Sequence, residues 1–262
     1  MTPPVVLSIA GSDSGGGAGI QADLKTFEAF GVFGTTAIAA ITAQNTLGVS
    51  GVHPIPPEMV AAQIAAVASD LKPAALKTGM LATRQLVETV ADAITEHSLP
   101  NFVLDPVMVA TTGASLLDPD AEDAIRRRLT PLASLITPNL DEAAILAGFP
   151  VRDEDDMRRA AAALTDAGAA ATLLKGGHLE SEEIVDILFD GSEWYEWRRP
   201  KLQTRNTHGT GCTLSSAVAA GLALGHPLPV AVENALDYVQ RALRTAPSLG
   251  RGQGPLNHRV GR

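Results

Sequence analysis

Hydrophobic positions in this chain follow two alternating patterns for most of its length. Short apolar runs at residues 5–10, 36–41, 75–79, 102–107, 134–137 and 171–175 read as buried strands. Between them lie segments with apolar residues at helical spacing: 57–71 (Met59, Val60, Ile64, Val67, Leu71), 83–97, 121–129, 139–147 and 153–167. The last of these carries acids early and arginines later, as a helix dipole favours. The rhythm then changes. Residues 184–189 and 194–197 alternate around Asp190-Gly191 as an antiparallel hairpin. Helices over 210–224 and 229–244 close the pattern, and a Gly/Arg-rich tail from Ser248 is expected to be mobile. Alternating strands and helices predict an α/β fold: a mostly parallel central sheet, helices on both faces and a small antiparallel hairpin at one edge. No linker, repeat or composition break divides residues 1–262, so a single domain is expected.

Composition removes several function classes. Hydrophobic residues make up 45%, too many for a disordered chain. The net charge of −9 argues against general nucleic-acid binding, though backbone N–H groups and a metal can still hold a phosphate locally. The one cysteine, Cys212, rules out an internal disulfide and a cysteine zinc cluster. No apolar run approaches the ~18–20 residues of a membrane span, and no basic segment precedes an apolar one at the start. A cytoplasmic protein without a membrane partner is expected.

The chemistry concentrates in glycine-rich segments. Gly11-Ser12-Asp13-Ser14-Gly15-Gly16-Gly17-Ala18-Gly19 follows the first strand and precedes helix-compatible sequence. Such a loop predicts free N–H groups at which an anion or polar small molecule docks; the alternative is a tight turn with no ligand. Gly17-x-Gly19-x-x-Ala22 fits a dinucleotide fingerprint, but the next strand ends Thr42-Ala43-Gln44-Asn45, without the ribose-binding acid. No Gly-Lys-Ser/Thr follows, which excludes a Walker loop. Asp23 reads either as a partner of the helix dipole or as a ligand to a hydroxyl or amine. Gln44, at a strand carboxyl end, offers a donor and an acceptor side by side, suited to an aminopyrimidine edge, or else caps a loop.

A second segment, Asn206-Thr207-His208-Gly209-Thr210-Gly211-Cys212-Thr213, runs directly into an alanine-rich helix. Its N–H groups can surround a phosphoryl group at the positive helix end. Cys212 in the first turn is either a thiol of lowered pKa or a small buried hydrophobe. Asp105, Asn139 and Glu142 offer oxygen to magnesium, and Lys175 ends a strand beside Gly176-Gly177 where it meets phosphate oxygens. Read singly, Asp105 is a cap, Glu142 a helix-start charge and Lys175 a surface residue.

Taken together, these segments resemble the hydroxymethylpyrimidine and phosphomethylpyrimidine kinases of thiamine biosynthesis, a branch of the ribokinase-like superfamily. The match runs from Ile9-Ala10-Gly11-Ser12-Asp13 and Gln21-Ala22-Asp23-Leu24-Lys25 through Thr42-Ala43-Gln44-Asn45, Lys77-Thr78-Gly79-Met80 and Asp105-Pro106-Val107-Met108. It continues with Thr137-Pro138-Asn139-x-x-Glu142, Leu174-Lys175-Gly176-Gly177-His178 and His208-Gly209-Thr210-Gly211-Cys212-Thr213. The resemblance implies a three-layer αβα sheet, a homodimer, ATP and magnesium. It implies two successive transfers, from 4-amino-5-hydroxymethyl-2-methylpyrimidine to its monophosphate and then its diphosphate. Gln44 would read the pyrimidine edge, with Gly11, Asp23, Met80 and Val107 shaping the pocket. Amides from Gly209 through Thr210 and Gly211 to Cys212, with Thr207 beside them, would hold the phosphoryl group. Cys212 would act as the base, Asp105, Asn139 and Glu142 would order magnesium, and Lys175 would contact ATP. Pyridoxal kinase is the nearest rival. Some such enzymes carry a second cysteine over the site, and Val109-Ala110-Thr111-Thr112-Gly113 has none. A non-catalytic pyrimidine-binding protein is the competing class.

Overall fold

In a computed structural model of the chain, residues 2–108, 119–177 and 182–260 are described. The first apolar run extends through the start of the glycine loop as β1 (Val5–Asp13) and pairs in parallel with β2 (Phe33–Asn45) and β4 (Ala75–Thr78). Parallel pairing continues through β5 (Phe102–Leu104), β6 (Leu135–Ile136) and β7 (Thr172–Leu174). The predicted hairpin is β8 (Glu183–Phe189) with β9 (Trp194–Pro200), antiparallel and joined to β7. The nine strands run in the order β3-β2-β1-β4-β5-β6-β7-β8-β9.

A second antiparallel edge, without a signal in the sequence, completes the sheet. β3 (Gly48–Pro54) pairs antiparallel with β2 at the opposite edge. Its sequence, Gly-Val-Ser-Gly-Val-His-Pro, is largely exposed and has two glycines and a proline, so it lacks the alternation that marks a strand.

Eight α-helices flank the sheet among the described residues: α1 (Gly19–Phe30), α2 (Pro57–Asp70), α3 (Arg84–Glu96), α4 (Pro119–Ala124), α5 (Leu140–Ala147), α6 (Glu154–Asp166), α7 (Thr210–Ala223) and α8 (Leu228–Arg244). Strand alternation splits the core into two layers. Leu7, Ile9, Leu76, Phe102 and Leu104 face α2, α3 and α4. Their neighbours Val6, Ala75, Val103, Leu135 and Leu173 face α1, α7 and α8. Leu174, Val185 and Ile187 pack on α5 and α6. The architecture is the expected α/β/α sandwich. No described helix is long and apolar enough to cross a membrane.

The tail expected to be mobile is instead fastened down. Gln253 N–H donates to Thr46 O (2.9 Å), His208 N–H to Gly254 O (3.1 Å) and Asn257 N–H to Ala242 O (3.1 Å). Glycine-rich composition reads as freedom, but here the glycines let backbone cross backbone.

Candidate active site

The carboxyl ends of the parallel strands open on one cavity of about 710 Å³. Both glycine segments line it and touch each other. Gly209 lies at φ +86°, and a Cβ there would sit 1.9 Å from Gly17 O. Only glycine permits that approach. His208 Nε2 donates to Asp13 Oδ2 (2.9 Å), tying the same two loops together.

Asp13 overturns one expectation about the first loop. Its carboxylate accepts from Gly15 N–H (2.7 Å), Gly17 N–H (2.9 Å) and Ala18 N–H (2.8 Å). Those amides are therefore taken by an internal anion and are not open to a ligand. Burial alone would raise the Asp13 carboxyl; the bonds from His208, Ala18 and Gly15 outweigh it and hold the group below its ordinary value. The signal was present as Asp-Ser-Gly-Gly, an aspartate followed by turn residues whose amides it can reach.

Gly11, Gln44, Met80, Val107 and Cys212 all line the cavity. A Cβ on Gly11 would fall 2.5 Å from Met80 Cε, so the glycine makes room for the methionine. Gln44 Oε1 accepts from Thr42 Oγ1 (3.1 Å), which turns its amide nitrogen toward His208 and the cavity.

Asp23 is not on the wall. It is fully buried, accepts from Ser8 Oγ and Ser216 Oγ, and forms a 3.2 Å ion pair with Lys77, itself inaccessible. Its place in the helix turns it inward beneath the floor, so it shapes the pocket only from behind. Lys77 was missed because a lysine inside a strand reads as a surface residue. Burial opposes a charged Lys77, but its acidic neighbours, Asp23 first and Asp105 as well, together raise its pKa.

Cys212 faces the cavity and accepts from Gly19 N–H. The lowered thiol pKa suggested by a helix start is not found. Burial pushes the thiol up to about 11, aided by Asp23 and Asp105 and opposed by Lys77. The thiol is protonated at neutral pH.

The opposite end of the cavity is ionic. Lys175 Nζ lies 3.3 Å from Asp105 Oδ1 and 3.9 Å from Glu142 Oε2, while Ser215 Oγ donates to Asp105 Oδ2 (3.3 Å). Burial opposes the Lys175 charge, but the two carboxylates raise its pKa. Glu142 is pushed up to about 7, by burial first and by the charge of Asp105 as well. Asn139 caps α5 by accepting from Glu142 N–H (2.9 Å), and Glu142 accepts in return from Asn139 N–H (2.8 Å). The Asn139 oxygen thus serves the cap, while the Asn139 N–H holds the Glu142 carboxylate in place. Among the described residues no group of three or more His, Cys, Asp or Glu side chains is clustered for a metal.

At the second glycine segment, Thr210 N–H returns to Thr207 O (3.2 Å) and Thr213 N–H to Gly209 O (2.9 Å). The Gly211 and Cys212 amides precede the helical ladder and have no partner within it. Thr210 Oγ1 also donates to Thr207 O (2.7 Å), and Thr207 Oγ1 to Gln253 Oε1 (3.2 Å). Ile184, Leu202, Gln240 and Leu243 extend the cavity beyond Lys175 and had no sequence signal. Residues 109–113, read for a second cysteine, and His178 lie outside the described residues.

A parallel sheet with a helix start, a lysine and two carboxylates at its carboxyl edge defines a ribokinase-like small-molecule kinase. The phosphomethylpyrimidine kinase family matches over residues 13–257, and the chain belongs to that family. It is 52% identical to the hydroxymethylpyrimidine/phosphomethylpyrimidine kinase of Streptomyces coelicolor over 98% of this chain and 95% of that one. It is 51% identical to the thiamine biosynthesis bifunctional protein ThiED of Geobacter sulfurreducens over 97% of this chain, and spans about half (52%) of that relative. An ADP complex of Bacillus subtilis pyridoxal kinase superposes with a TM-score of 0.91 at 39% identity, covering 98% of both chains.

Proposed function

We propose that the chain phosphorylates 4-amino-5-hydroxymethyl-2-methylpyrimidine from ATP, and then phosphorylates the monophosphate to the diphosphate. One observation carries this reading: Gln44, the Gly211 and Cys212 amides and Lys175 line a single cavity. The Gln44 amide suits the aminopyrimidine edge, over a floor formed by Gly11, Met80 and Val107. The open amides of α7 and its positive end suit the phosphoryl group in flight, and Lys175 suits the phosphate oxygens of ATP. Ile184, Leu202 and Leu243 offer the adenine an apolar slot.

Asp105 and Glu142 fit a magnesium ion, because they place carboxylate oxygens, the donors this cation prefers, beside one lysine at the end of the cavity. When bound, the metal supplies positive charge to phosphate oxygens. Cys212, a neutral thiol, serves better as a hydrogen-bonding wall than as a strong base. Phosphoryl transfer through a loose transition state asks more of alignment than of proton removal. ATP as donor and a single thiol suit a cytoplasmic enzyme. The exposed apolar side chains Phe33, Ile41, Leu47 and Val52 on the β2–β3 edge suit a homodimer contact.

Phosphorus NMR of the products from the pyrimidine alcohol, ATP and magnesium tests the reaction. A diphosphate ester is expected. Faster turnover of pyridoxal than of the pyrimidine, or ATP left unconsumed, would overturn the reading.

A further inference from the structure

The C-terminal segment contains Gly250-Arg251-Gly252-Gln253-Gly254-Pro255, glycine at every second position, and none of the chemistry above uses it. Each glycine sits where a side chain cannot. A Cβ on Gly250 would lie 2.3 Å from Thr46 Oγ1, on Gly252 2.0 Å from Thr46 O, and on Gly254 2.2 Å from Asn206 Oδ1. Backbone bonds fill the same crossings. Gln253 N–H donates to Thr46 O (2.9 Å), and Gly252 N–H to Thr46 Oγ1 (3.3 Å). His208 N–H donates to Gly254 O (3.1 Å), and the Gln253 side chain accepts from Thr207 Oγ1 (3.2 Å). Thr46 lies two residues beyond Gln44 at the end of β2, and Thr207 and His208 lead into the α7 start.

We infer that this segment is a positioning strap that fixes the distance between the pyrimidine-reading end of β2 and the phosphoryl-holding loop. The inference rests on the proposed kinase reading. The strap touches neither reactant; it acts through Thr46 on Gln44 and through Thr207 and His208 on the open amides. Its two ends therefore govern different kinetic constants. A side chain at residue 252 displaces the β2 end and weakens pyrimidine binding. One at residue 254, or loss of the Gln253 side chain, displaces the phosphate loop and slows transfer.

The test compares Gly252→Ala, Gly254→Ala and Gln253→Ala with the unaltered enzyme by steady-state kinetics and thermal melting. Gly252→Ala is expected to raise KM for the pyrimidine about tenfold with KM for ATP unchanged. Gly254→Ala and Gln253→Ala are expected to lower kcat about tenfold, a cost in keeping with reacting groups moved by a fraction of an ångström. Adding Asn206→Ala to Gly254→Ala removes the clashing side chain and restores part of the kcat. Gln253→Ala keeps every backbone bond, so it folds even where a glycine variant does not. Unaltered constants in Gln253→Ala would overturn the strap, as would KM and kcat losses that track the folded fraction. An unaltered enzyme inactive on the pyrimidine would instead overturn the kinase reading.

Discussion

The contact between Gly209 and Gly17 makes the sharpest prediction. In Gly209→Ala, the new Cβ falls 1.9 Å from Gly17 O and 2.8 Å from Gly17 C, both backbone atoms that cannot swing aside. Restoring a van der Waals separation of about 3.5 Å requires the two loops to part by on the order of 1.5 Å. A displacement of about 1 Å can cost ~100-fold in a reaction that depends on alignment, equivalent to roughly 2.7 kcal/mol of barrier. The φ of +86° adds a strain of about 1–2 kcal/mol in the folded state, independent of the clash. Gly148→Ala separates the two effects, because Gly148 has φ +80° and nothing within 4 Å of its added Cβ. Both variants should lower Tm by about 2–4 °C per kcal/mol of strain. Only Gly209→Ala should lose about 100-fold in kcat, measured by coupled ADP release with the folded fraction fixed by melting. Wild-type turnover in Gly209→Ala, or an equal loss in Gly148→Ala, would refute the argument that loop spacing sets the rate.

Three further outcomes follow from the buried charges. With its thiol pushed up to about 11, Cys212 should react with iodoacetamide at a rate climbing about tenfold per pH unit from roughly pH 8 to 10; a plateau near pH 8 would contradict the assignment. Lys77→Met strands the Asp23 carboxylate in the core and should cost about 3–5 kcal/mol in urea unfolding, whereas a loss below about 1 kcal/mol would show that Asp23 is otherwise satisfied. Asp13 titrates below its ordinary 3.8, so the stability it contributes is complete above that pH and is lost as pH falls through its folded-state value. The gap in unfolding free energy between the unaltered protein and Asp13→Asn should therefore hold from about pH 7 to about pH 5 and narrow as the pH falls below about 4, and an unchanged gap there would refute it.

The sheet and its helices were legible because buried strands and amphipathic helices carry opposite periods. β3 was not, since an exposed edge strand has no face to bury. At the site, local signals were legible where a residue's partners are its neighbours in sequence, as with Glu142, a charge in the first turn of α5. They failed where the partner arrives from far along the chain. Asp23 and Lys77 meet across 54 positions, and Asp13 and His208 across 195, so no window contains both. The tail misled for the same reason: Gly252 looks free until Thr46 is set against it.

Asp13 gives the cavity two ends with opposite appetites. By filling the N-terminal loop with the protein's own carboxylate, the fold makes that end electrically complete before any substrate arrives. A neutral heterocycle is welcome there, and inorganic phosphate finds no vacancy. Free phosphate or sulfate in solution should therefore compete against the nucleotide and leave capture of the uncharged pyrimidine alcohol untouched, a polarity written into the backbone ahead of any catalytic side chain.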